Sequence, residues 1–119
     1  MTLNLTVFFT VLNTLKIDHW QTTSHAEHAA LGTAYEKLDE LFDTFIEYFY
    51  GSRGLPTNPT AYKVSLSSYS GDLISSYSKL KFEVVSYLQS ISENYGDLKN
   101  LCDEIEGEFS HLLYKLNQK

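Results

Sequence analysis

Three histidines, His19, His25 and His28, fall within ten residues, and the acids Asp43 and Glu47 follow at helical spacing. Imidazole together with carboxylate is the donor set for iron, manganese or zinc, whereas calcium and magnesium prefer oxygen alone. On a helix advancing about 100° per residue, His25, His28, Asp39, Asp43 and Glu47 share one flank, and Leu31, Ala34, Leu38, Leu41, Phe45 and Phe49 form a separate apolar stripe. His28 and Asp43 are nevertheless about 22 Å apart along a straight helix, and ligand bonds of about 2 Å cannot bring both to one ion. A single subunit cannot close such a site. Two copies of the helix packed antiparallel across a two-fold axis would set the histidine end of one beside the acidic end of the other, giving two equivalent shared sites.

The elements that must position these residues are four helices. Helix 1 is expected over 3–20, with Phe8, Leu12 and Leu15 on one stripe that His19 extends, so that His19 points inward. "QTTSHAE" supplies a turn and a capping box between Ser24 and Glu27. Helix 2 follows over 25–50, with Gly51 as its C-terminal stop. Helix 3, about 72–92, is seamed by Leu73, Tyr77, Leu80, Val84, Leu88 and Ile91; helix 4, about 97–117, by Leu98, Leu101, Ile105, Leu112 and Leu116. Between helices 2 and 3 stands "GSRGLPTNPTAYKVSLSSYSG", which holds both prolines. Extended chain covers about 3.3 Å per residue, so this connection can run the length of a bundle about 40 Å long. A plain up-down-up-down bundle with one long loop would read the same way, but unstructured loops of that length are uncommon in compact domains.

The 119 residues suit one domain, 1–119, and 43% hydrophobic content with two prolines excludes a disordered chain. Net charge is −6 with a single arginine, so no basic stripe is available for a phosphate backbone and nucleic-acid binding is not expected. The start "MTLNLTVFFTVLNTLKI" has no basic leader and is interrupted by polar residues, so neither a signal peptide nor a membrane span is expected. The lone Cys102 calls for no oxidising compartment, and a cytoplasmic location is the default. No phosphate-binding loop or nucleophile elbow supports a nucleotide-dependent or hydrolase reading.

"HW" at 19–20, a histidine early in helix 2, and then Asp43-Thr44-Phe45-Ile46-Glu47 together resemble the ferroxidase signature of Dps-type mini-ferritins. "SLSSYSGDL" is similar to the segment entering that family's third helix, and "DLKNLCDEIEGEFSHLLYKL" to its last. The resemblance implies an all-α, ferritin-like four-helix bundle with a long crossover between helices 2 and 3. It implies an Fe(II)-oxidising di-iron site, with zinc or manganese as substitutes, between two-fold-related subunits. His19 and His28 of one subunit would face Asp43 and Glu47 of the other, with Trp20 beside the metal. It further implies a homo-oligomer, built from two-fold dimers into a hollow dodecamer that stores mineral. In two places the chain departs from the family. Gly32 stands where the family has an aspartate, and the joint after "HW" is three residues shorter, so that three outcomes stand open: metal binding weakened, rebuilt around His25 or Glu36, or lost. The family's lysine-rich DNA-binding tail is absent, so DNA condensation does not carry over.

Each exposed acid or histidine also has a plainer reading as solvated surface, His19 as a core histidine, and Trp20 as a packing or interface aromatic. Glu108 and His111 spell the Glu-x-x-His motif of di-iron sites held within one bundle, but helix 1 offers only Asp18 as the matching acid. The alternative function is therefore a metal-free helical oligomer with a structural or adaptor role.

Overall fold

Asn4 and Asp72 open two of the four helices in the structure, a computed structural model that describes residues 3–53 and 61–118. The Asn4 side chain accepts from the N–H of Thr6 and starts α1 (Leu5–Gln21), while that of Asp72 accepts from Ser75 and starts α3 (Leu73–Ser92). Just before Asp72, Gly71 has φ +87, a left-handed turn that costs a side-chain-bearing residue more. α2 (His25–Arg53) follows α1 after a three-residue joint, and α4 (Gly96–Leu116) follows α3 almost at once. α2 passes straight through Gly51, so that glycine does not stop the helix as expected. Glycine weakens a helix interior by about 1 kcal/mol but does not block it.

Contacts between distant residues give the directions of the helices. The Tyr87 hydroxyl, late in α3, accepts from the N–H of Asn4 at the start of α1, and the Tyr77 hydroxyl, early in α3, donates to Asp18 near the end of α1. α1 and α3 thus run oppositely. Since α1 and α2 also form a hairpin, α2 and α3 point the same way, and the chain between them must return along the bundle. It does so beside α1: Tyr62 packs edge-on to Phe9, and the N–H of Tyr69 reaches the side chain of Gln21. Pro56 and Pro59 of this connection lie outside the described residues. α1 packs on α2, α2 on α4 and α4 on α3, while α1 and α3 stand farther apart.

The core lies between these helices and is centred on Phe8, Leu15, Leu31, Leu38, Phe42, Phe45, Tyr77, Leu88, Ile105 and Phe109. Phe8 meets the Phe42 ring edge-on at 5.0 Å, the arrangement aromatic quadrupoles prefer. The buried stripe of α1 is Phe8, Val11, Leu15 and Asp18, whereas Leu12 and His19 are only half-buried. His19 therefore lies on the flank facing α2 rather than pointing inward. A similar one-residue shift buries Phe42 in place of Leu41; on α3 Leu80 is only half-buried while Val85 is buried beside Val84, and on α4 Cys102 and Phe109 join the expected core positions.

The joint between α1 and α2 is tied more elaborately than a capping box. Ser24 Oγ accepts from the N–H of Glu27 at 3.2 Å, as expected. The Glu27 carboxylate does not return to Ser24. It accepts from Thr22 Oγ1 at 2.6 Å and from the Tyr69 hydroxyl at 3.3 Å, which ties the returning chain to the joint.

Candidate metal centre

The short joint brings the last turn of α1 against the first turns of α2 and stacks two imidazoles. The His19 and His28 rings lie 3.7 Å apart at 17°. Each ring bonds the other residue's backbone: His19 Nδ1 donates to the His28 carbonyl and His28 Nδ1 to the His19 carbonyl, both at 2.7 Å. A carbonyl oxygen only accepts, so both Nδ1 atoms carry hydrogen, and in the neutral rings both Nε2 atoms keep their lone pairs. Metal-ligating histidines are commonly held this way, with one ring nitrogen donating to a carbonyl and the other presented to the ion.

Gly32 makes this stack possible. A Cβ built there would stand 2.9 Å from His19 Cε1 and 3.2 Å from Nδ1, closer than real Cβ contacts come. An aspartate at this position, as in the mini-ferritins, could not coexist with the His19 ring as seated. The glycine that departs from the family pattern thus makes room for one of the proposed ligands.

At the far end of α2, Asp43 and Glu47 are both exposed one turn apart. The Glu47 carboxyl is raised above its ordinary range, first by a hydrogen bond with Asp43 and then by the repulsion of that carboxylate. Two acids that must share a proton or repel each other form a place where a cation is favoured. Between the two groups, Lys16 of α1 sits 4.3 Å over the Tyr35 ring and 5.6 Å from that of Trp20. Trp20 is 69% exposed immediately beside His19. His25 is exposed at the first position of α2 and Glu36 is exposed farther along.

Within one chain the structure brings together His19 with His28, and Asp43 with Glu47, but not the two pairs with each other. Among the described residues no three histidine, cysteine, aspartate or glutamate side chains converge on a common metal position. Glu108 and His111 face a shallow groove between α2 and α4, where Lys37 lies 3.9 Å from Glu108. Sequence reasoning missed the seating role of Gly32 and the Asp18–Tyr77 bond. The only signal for the first was a small residue one turn after His28, and the second joins residues too distant for any local pattern. Among the described residues no helix is long and apolar enough to cross a membrane.

Residues 19–116 match the sequence model of a protein family described as a family of unknown function, DUF5856. No curated protein matches the chain, and no solved structure does.

Proposed function

The chain belongs to this family, DUF5856, whose function is unknown, and from its own residues we propose that it is a Dps-like ferroxidase of ferritin-like fold that oxidises Fe(II) at sites shared between two-fold-related subunits. The observation that carries this reading is the stacked histidine pair, each ring tethered through Nδ1 so that Nε2 is left as the donor. Co-directional α2 and α3, with the intervening chain strapped along α1, support the ferritin-like part of the reading.

Fe(II) is the substrate in this proposal. His19 and His28 of one protomer bind it together with the partner subunit's Asp43 and Glu47, and His25 stands at the edge of the same cluster. When bound, the ferrous ion supplies the electrons that reduce peroxide or dioxygen. The protein's own part is to set the two imidazoles before the ion arrives and to provide negative charge that favours the more highly charged product. The exposed Trp20 lies beside the histidines, where its indole can intercept reactive oxygen species. The net charge of −6 favours collection of cations for storage in the assembly.

Anaerobic Fe(II) followed by peroxide tests the proposal. It should consume the metal and quench the fluorescence of the only tryptophan, and Glu47→Gln should abolish the oxidation while leaving the helical content intact. Among the described residues no three candidate ligands converge within one chain, which a second reading, a metal-free helical oligomer with a structural or adaptor role, would equally show. That reading expects neither metal consumption nor quenching.

A further inference from the structure

A second polar site lies on the opposite side of α1 from the histidine stack. Because α1 and α3 stand apart, the returning chain of residues 61–72 closes the gap only partly and leaves a cleft of about 360 Å³. One water occupies about 30 Å³ in the liquid, so the cleft is too roomy for a single bare ion and is of the size that binds small organic molecules. Hydroxyls line much of its wall, notably Thr14 of α1, Ser65 and Ser68 of the returning chain, and Ser76 of α3, beside the apolar Leu80.

Asp18 also lines this cleft, and it is only 5% exposed. One of its oxygens, Oδ2, accepts from the Tyr77 hydroxyl at 2.7 Å; among the described residues no donor reaches Oδ1. Among the described residues no cation forms an ion pair with it. Lys79 lines the same cleft but is mostly exposed and lies 4.0 Å from Glu83, which also lines the cleft one turn along the same helix. Burying a carboxylate without a counter-charge is costly, and the cost is relieved when the group takes a proton or when a cation enters.

We propose that the cleft between α1, the returning chain and α3 binds a small organic amine, its ammonium paired with Asp18 and its polar remainder held by the surrounding hydroxyls. Each chemical feature of the site selects for this class. An uncharged polyol could donate a hydrogen bond to Oδ1 but would bring no charge to balance the buried carboxylate. A divalent metal would find only Asp18 unshared, because Glu83, the other carboxylate of the lining, is exposed and lies 4.0 Å from Lys79, and one carboxylate is too little negative charge to replace the ion's hydration. A primary ammonium offers three donors, one for the carboxylate and two for hydroxyl oxygens. This site is independent of the proposed ferroxidase, whose ligands lie on the α2 side of α1.

Calorimetric titration of the full chain with ethanolamine, glycerol and potassium chloride provides the test. Ethanolamine should bind saturably in the millimolar range or tighter, and glycerol, which lacks the charge, about tenfold or more weakly. Asp18→Asn, which keeps an acceptor for Tyr77, should weaken ethanolamine about tenfold or more, as expected for loss of a charge-assisted pair. Thr14→Val, which removes a hydroxyl with little change of shape, should weaken it by about threefold and serves if the first variant folds poorly. Equal binding of glycerol and ethanolamine, displacement of the amine by equimolar potassium, undiminished affinity in the folded variants, or no heat with ethanolamine would each overturn the proposal.

Discussion

The reciprocal bonds of His19 and His28 depend on an atom that is missing. In Gly32→Ala the new Cβ would meet the His19 ring at 2.9 Å, so the ring must move and its bond to the His28 carbonyl must stretch or break. Alanine itself favours a helix by about 1 kcal/mol over glycine, which offsets much of the steric cost, so the chain should remain folded. We expect the imidazole resonances of both histidines to shift in NMR spectra and Zn(II) affinity to fall by about tenfold or more, as when an anchoring partner is lost. An unshifted His19 spectrum would exclude this steric account. Two carboxyls give opposite pH signatures. Protonated Glu47 cannot donate to a metal, and its proton is held to higher pH than usual by Asp43, so Zn(II) binding at the acidic end should fall as pH drops through that raised range. Asp18 is raised by burial, so the folded chain keeps this proton to higher pH than the unfolded chain does. Its stabilising contribution is complete in acid, below the unfolded value, and is lost as pH rises through the folded one. Asp18→Asn should remove that loss, and urea titrations from acid to neutral pH should show a flatter stability profile than the parent.

The four helices were legible because apolar residues recur at steps of three and four, and because Ser24 marks the start of α2 by its side chain. The periodicity set each stripe only to within one residue. Leu12 and Val11, or Leu41 and Phe42, are neighbours in sequence about 100° apart on the wheel, at the two edges of a broad apolar face, and the choice between them is made by the partner helix. Asp18 shows the limit most clearly: a carboxylate reads as surface until its bond to Tyr77, on another helix, is known. The role of Glu27 was half legible. Its backbone follows the capping pattern, but its side chain serves Thr22 and Tyr69 instead. Ser24→Ala removes an acceptor at the start of α2 and should cost about 1 kcal/mol in urea unfolding. A loss well under that would mean the Thr22–Glu27 bond alone secures the helix start.

For the whole molecule, the direction of each helix could be anticipated from connection length, whereas the α1–α3 gap and the cleft it leaves could not. They depend on how the returning chain lies against α1. The separation of the histidine end from the acidic end was readable as a distance along one helix, and it is what makes the proposed site a property of two chains. If two α2 helices pair antiparallel so that those ends meet, the two-fold axis passes close to Glu36, midway between them. Mild oxidation of a Glu36→Cys variant should then yield a disulfide-linked dimer, because residues beside a two-fold axis meet their own copies. Glu104→Cys, on the groove between α2 and α4, should not, and the native Cys102 is buried and should stay out of the reaction. A monomer in the first experiment on a non-reducing gel would remove the shared-site arrangement.

The seat beneath the His19 ring has an evolutionary corollary. Positions 19 and 32 occupy one volume, so sequence drift at either should be answered at the other. A relative that carries a bulkier residue at 32 should have surrendered its imidazole at 19 or lengthened the joint between the first two helices, and one that retains both histidines on the short joint should retain the glycine.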